Sequence, residues 1–120
     1  MMTDRVPSLL HDLLKHANRL KEIAAQHPTW GELRTDRDAA DALLWNFVAL
    51  GEISIRLGDE YQAAHPEIPW KPIIAQRNVI AHGYDVIDWD RLRPVIENEI
   101  DSLIAHAKNS LDSYGAPPND

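Results

Sequence analysis

Apolar residues recur along this chain at intervals of three and four, and proline, glycine and small capping residues cut the recurrence into blocks. Over 8–26, Leu10, Leu13, Leu14, Ala17, Leu20 and Ala24 fall on one stripe, which predicts an amphipathic helix with Ser8 as N-cap and Pro28 closing the segment. A second helix is predicted over 35–57, with Thr35 and Asp38 in capping-box-like spacing and Gly58 ending it. A short piece, 59–64, leads into the turn His65-Pro66-Glu67-Ile68-Pro69-Trp70. Another helix follows over 70–81 and tolerates Pro72 in its first turn. The last begins at Asp88 or Asp90 and carries Leu92, Val95, Ile96, Ile100, Leu103, Ala107 and Leu111 on one stripe, with Pro94 removing one early hydrogen bond. No stretch alternates with strand period. The pattern predicts an all-α fold, a single-domain bundle of four to five helices over 1–114, with 115–120 as a flexible tail.

The second helix is apolar all round between 42 and 50, except at Asn46. A helix at the edge of a small bundle buries one face, so this segment has more apolar surface than an edge position covers. Trp45 and Phe47 leave a helix about 200° apart. Two arrangements satisfy this: a homodimer face, or a central helix wrapped by the others. In either, Asn46 is an amide that must find partners, in an interface or facing a site.

Composition narrows the class. Hydrophobic residues make up 44% and cysteine is absent, as expected of a soluble globular protein without disulfide or thiolate chemistry. No apolar leader and no run of membrane-spanning length is visible, so no membrane partner and a cytoplasmic location are expected. The formal net charge of −7 argues against a general polyanion binder. Any nucleic-acid chemistry must use a local cluster, and Arg56, Lys71, Arg77, Arg91 and Arg93 lie around one segment, roughly balanced by acidic neighbours.

That segment is Arg77-Asn78-Val79-Ile80-Ala81-His82-Gly83-Tyr84. Arginine is a permanent, fork-shaped phosphate ligand, and histidine moves protons near neutral pH. Together they suffice for metal-free phosphodiester cleavage, one group transferring a proton and the other holding the anion. On one continuous helix, Arg77 and His82 lie about 140° apart around the axis. They can meet at one phosphate only if the helix unwinds near Gly83 or if two chains build one cleft. Asn78 and His82 are four apart and share a face, so Asn78 is the expected orienter of the imidazole. Elsewhere, His11 and His16 lie on different faces, His27 and His65 precede prolines, and His106 sits late in the last helix. None forms an H-x-x-x-H pair, so neither a metal site nor a cofactor is expected. No glycine-rich phosphate loop or serine elbow is present.

The spacing R-x4-H-x-Y from Arg77 to Tyr84 resembles the signature of the HEPN superfamily, specifically HepT-type ribonuclease toxins. The stretch 44–52 is similar to that family's helix ending in Gly-Glu, here Gly51-Glu52. The His65-Pro66-Glu67-Ile68-Pro69-Trp70 turn and the run from Ile73 to Tyr84 match it as well. The resemblance covers about residues 4–112. It implies a HEPN-like homodimer, a metal-independent endoribonuclease acting through 2′-hydroxyl attack, and a toxin–antitoxin pair. The antitoxin would be a cognate nucleotidyltransferase that transfers AMP to the motif tyrosine, here Tyr84. Arg77 and His82 would be catalytic, with Asn78 and Asn46 supporting them. One departure is Trp45, which stands where the family often has arginine before Asn46. Two other classes fit the same residues: a non-catalytic HEPN subunit that docks with a minimal nucleotidyltransferase, and a structural dimer whose motif residues are salt-bridged.

Overall fold

The computed structural model describes residues 5–83 and 87–114, and all regular structure among them is helical. The all-α expectation holds. Helix α1 (Arg5–Ala25) is followed by a short α2 (Trp30–Thr35), the long α3 (Arg37–Ala64), α4 (Trp70–His82), α5 (Trp89–Pro94), a π turn (Val95–Glu99) and α6 (Ile100–Ser113). Packing runs α4, α3, α1, α6: α3 lies against both α4 and α1, and α1 also lies against α6. Phe47 and Leu50 of α3 meet Leu10, Leu13 and Leu20 of α1 and Ile100 and Leu103 of α6 in one hydrophobic core.

Several boundaries differ from those predicted, each for a local reason. Helix α1 starts at Arg5, so Ser8 is an exposed residue inside the helix rather than its cap. The stretch before α3 forms an extra short helix. Thr29 accepts a hydrogen bond from the Glu32 amide at 3.1 Å, a serviceable N-cap that the sequence reading passed over. Asp36, not Thr35, caps α3, accepting from the Ala39 amide at 3.2 Å.

Gly58 adopts φ +92°, a region open to glycine, and breaks α3 where the sequence predicts its end. The helix resumes to Ala64, and the Gln62 side chain donates to the Ser54 carbonyl at 2.8 Å across the break. Pro94 lacks an amide hydrogen and cannot close its helical turn. The backbone widens into the π turn, with the Ile100 amide bonding the Val95 carbonyl.

The apolar excess of α3 is chiefly that of a central helix: Leu43, Leu44, Phe47 and Leu50 are all buried. Trp45 is the exception, 65% exposed, and Ile55 and Val79 are also exposed.

Candidate functional site

Helix α4 carries the Arg–His motif along its second half. Its helical bonding continues through His82 and stops at Gly83. The unwinding that would bring Arg77 and His82 together within one chain is therefore absent between them. The two side chains leave the helix about 140° apart. His82 is exposed in the last turn, and Asn78 is exposed one turn before it. Tyr84 lies outside the described residues.

Arg77 is set into the groove between α3 and α4. A methyl group at Gly51 would lie 2.2 Å from the Arg77 Cβ and 2.7 Å from its Cγ, so only glycine lets the helices approach this closely. The Arg77 guanidinium donates through Nη2 to Glu52 Oε2 at 3.1 Å and through Nη1 to Asn78 Oδ1 at 2.9 Å. Its Nε is buried without an acceptor among the described residues. The other Glu52 oxygen, Oε1, lies 3.5 Å from Arg56 Nε. One carboxylate thus sits between two guanidiniums, leaving the cluster net positive on a chain of net charge −7. The remaining arginines near the motif are engaged locally, Arg91 with Asp88 at 3.5 Å and Arg93 with Glu97 at 3.3 Å.

Two supporting residues do something other than expected. The Asn78 amide oxygen holds Arg77 instead of orienting His82, because the guanidinium of the adjacent residue reaches it first. Asn46 is 5% exposed and faces α1. Its amide nitrogen donates to the Ala42 carbonyl at 2.7 Å. That bond turns its oxygen toward His16 Nδ1 at 2.8 Å, so His16 is the donor. Asn46 is a buried polar tie between α1 and α3. Glu52 is the participant that sequence reasoning missed. The glycine before it, inside an otherwise apolar helix, was the available signal of a close backbone approach.

A second cluster lies at the opposite end of α4, where histidines with no shared sequence spacing converge. His65 closes α3, Glu67 follows in the turn, and His106 comes from α6. Their ligand atoms all lie within 4.8 Å of one another, a convergence that no H-x-x-x-H spacing in the sequence marks. Tyr61 Oη is 2.7 Å from His106 Nε2, and its ring packs tilted on His65 with centroids 4.5 Å apart. Trp70 Nε1 donates to the His65 carbonyl at 2.9 Å and fixes the turn. Burial, and then the neighbouring His65, hold the His106 imidazole below its ordinary pKa, and burial raises that of the Tyr61 phenol.

A family model described as Ribonuclease HepT-like matches residues 13–109. Two proteins of Methanocaldococcus jannaschii named as RNases are similar to this chain. One is 24% identical, over 82% of this chain and 89% of the relative. The other is 21% identical, over 79% and 78% respectively. A protein of Thermococcus cleftensis named as a HepT ribonuclease is 28% identical over 57% of this chain and 62% of its own length. No solved structure matches the chain.

Proposed function

This chain belongs to the HepT-like ribonuclease family and is an endoribonuclease, and on that premise we propose that Arg77 and His82 cleave RNA without a metal, in a cleft shared by two copies of the chain. The observation that carries this reading is the course of α4. The helix is continuous from Arg77 to His82, so the pair converges on one phosphate most simply when each chain supplies one member. In the reaction, an RNA 2′-hydroxyl attacks the adjacent phosphorus and the P–O5′ bond breaks, leaving a 2′,3′-cyclic phosphate and a 5′-hydroxyl. His82 takes or delivers the proton, and the Arg77 guanidinium stabilises the anionic phosphorane. Water completes the opposite proton transfer. Positioned acid–base catalysis contributes about 10²–10⁴-fold, equal to roughly 3–5 kcal/mol of barrier. Glu52 keeps Arg77 aimed, and Arg56 beside it adds a second cation for the incoming backbone. The test is degradation of RNA by purified protein. His82→Ala should lose cleavage while remaining folded, because the side chain is exposed, and chelators should leave wild-type cleavage unchanged. Equal cleavage by His82→Ala would refute the assignment.

We further propose that the chain is the toxin of a toxin–antitoxin pair and that a cognate nucleotidyltransferase moves AMP from ATP to the Tyr84 hydroxyl, with pyrophosphate as the leaving group. A phenol is mostly protonated at pH 7 and serves as an acceptor hydroxyl, and an added nucleotide places a negative phosphodiester two residues beyond His82. Intact mass after co-expression with the transferase should show whole AMP increments that Tyr84→Phe abolishes. A neutralised toxin of unmodified mass would reject modification.

One observation favours a second reading. Arg77 already has a carboxylate partner in Glu52, as a non-catalytic HEPN subunit of a minimal nucleotidyltransferase would retain for packing alone. Purified protein that binds the transferase and leaves RNA intact would select that alternative.

A further inference from the structure

We propose that His65, Glu67 and His106 form a binding site for one zinc-class divalent cation, separate from the Arg–His site. His65 Nδ1 and His106 Nδ1 each lie 3.8 Å from the same oxygen, Glu67 Oε2. That is too long for a hydrogen bond, which has its N···O distance near 2.7–3.2 Å. Three strong donor atoms thus face one another across a gap without bonding directly. Zinc takes nitrogen and oxygen ligands at about 2.0–2.2 Å, so neighbouring ligands of a tetrahedral ion lie about 3.4 Å apart. The two observed 3.8 Å separations need only a small inward shift, the two imidazole ligand atoms, within 4.8 Å of each other, need a larger one, and Glu67 sits on an exposed turn where its side chain can move.

The surroundings fit a ligand shell. A metal-bound histidine commonly uses one ring nitrogen on the ion and donates through the other to a fixed partner, which sets tautomer and ring angle. His106 has this arrangement, with Nε2 on the Tyr61 hydroxyl and Nδ1 turned toward Glu67. The His65 ring is packed against Tyr61, and its carbonyl is held by Trp70. Two imidazoles and one carboxylate suit zinc and its first-row neighbours better than magnesium or calcium. The three residues also line an open cleft of about 580 Å³, bordered by Asn109 and Ser110, where a water or a donor from another molecule can take the fourth position.

The site is remote from RNA chemistry. His65 precedes α4 and His82 closes it, and the 13 residues of that helix separate the two by nearly 20 Å of axial rise. An ion there would tie the α3–α4 turn to α6, and its binding can be measured without any cleavage assay.

The experiment is a calorimetric titration of the untagged full-length chain with zinc, repeated with cobalt for its visible absorption spectrum. One ion per chain is expected, with a tetrahedral cobalt spectrum. Glu67→Gln keeps the side chain's size and should weaken binding at least about tenfold. Tyr61→Phe removes only the hydroxyl behind His106 and should cost about 10–100-fold, as loss of such an orienting partner does elsewhere. His11→Gln, at an exposed residue of α1, should change nothing. Absence of saturable binding at micromolar zinc, or equal affinity in wild type and Glu67→Gln, overturns the proposal. So does a loss in His11→Gln matching that in Glu67→Gln.

Discussion

Gly51 and Arg77 meet where α3 and α4 pack, at a contact with no room for a methyl group. The crowding atoms are the Cβ and Cγ of Arg77, which cannot swing aside like the end of a long side chain. Alanine is a better helix former than glycine by about 1 kcal/mol, but overpacking costs about 1–3 kcal/mol, and here the helices themselves must separate. Gly51→Ala is therefore expected to destabilise the fold by about 1–2 kcal/mol, read as a lower urea midpoint, and to reduce RNA cleavage as Arg77 is displaced. An unchanged midpoint would show that the groove relaxes freely. At this scale the sequence was partly legible. Arg77 and His82 stand out because arginine and histidine are distinctive chemistry in a helical run. The partners were hidden, because a helical wheel ranks only neighbours on the same helix. Glu52 reaches Arg77 from 25 positions away, and His16 reaches Asn46 from 30.

The junction of α1, α2 and α3 gives an element-scale consequence that depends on pH. His27, just beyond α1, places Nε2 3.0 Å from Asp36 Oδ2 and Nδ1 3.3 Å from the Ile23 carbonyl. Both ring nitrogens thus face acceptors, and both can be satisfied only when both carry hydrogen. The bond to Asp36 and then that to Ile23 raise the His27 pKa, while the bond to His27 chiefly lowers that of Asp36. A raised histidine adds stability that is fully present below its unfolded value of about 6.5 and disappears as pH rises through the higher folded value. A lowered aspartate adds stability above its unfolded value of about 3.9 that fades as pH falls through the folded one. The pair should help most between about pH 4 and 6.5. Thermal midpoints of wild type and His27→Gln should differ most near pH 5.5, and the gap should shrink as pH rises above about 6.5. A constant gap across that range would mean that the ion pair contributes nothing. The element pattern itself was largely legible, since long stripes of leucine and isoleucine report burial directly. The short α2 was not, because six residues carry less than two turns of periodicity. The π turn was foreshadowed only by Pro94.

At the scale of the whole molecule, the open question is what meets the exposed surface of α3 and α4. Most of the 42–50 segment is covered within one chain, yet Trp45 stands 65% exposed and Val79, close to His82, is exposed too. Together with an Arg–His pair divided around a continuous helix, this supports a twofold dimer, the commonest closed assembly. Sedimentation of the purified chain on the order of tens of micromolar is expected to show a dimer, and Trp45→Glu should shift it toward monomer and lower cleavage with it. A monomeric wild type that still cleaves RNA would remove the shared cleft. No described helix is long and apolar enough to cross a membrane. Assembly was the least legible level, because the same apolar excess in one helix serves a core and an interface equally well.

The inlay of Arg77 over Gly51 has one more effect, on the entropy of recognition. A free arginine side chain carries about 2 kcal/mol of rotamer freedom, and a loose one would surrender much of it on gripping a phosphate. Here the first two side-chain carbons are already clamped by the neighbouring helix, and two guanidinium nitrogens are held by Glu52 and Asn78. Folding has frozen the group before any anion arrives. A phosphate bound as proposed would replace one Glu52 oxygen at Nη2 while the clamped stem and the Asn78 bond stay in place, so little disorder would remain to be lost.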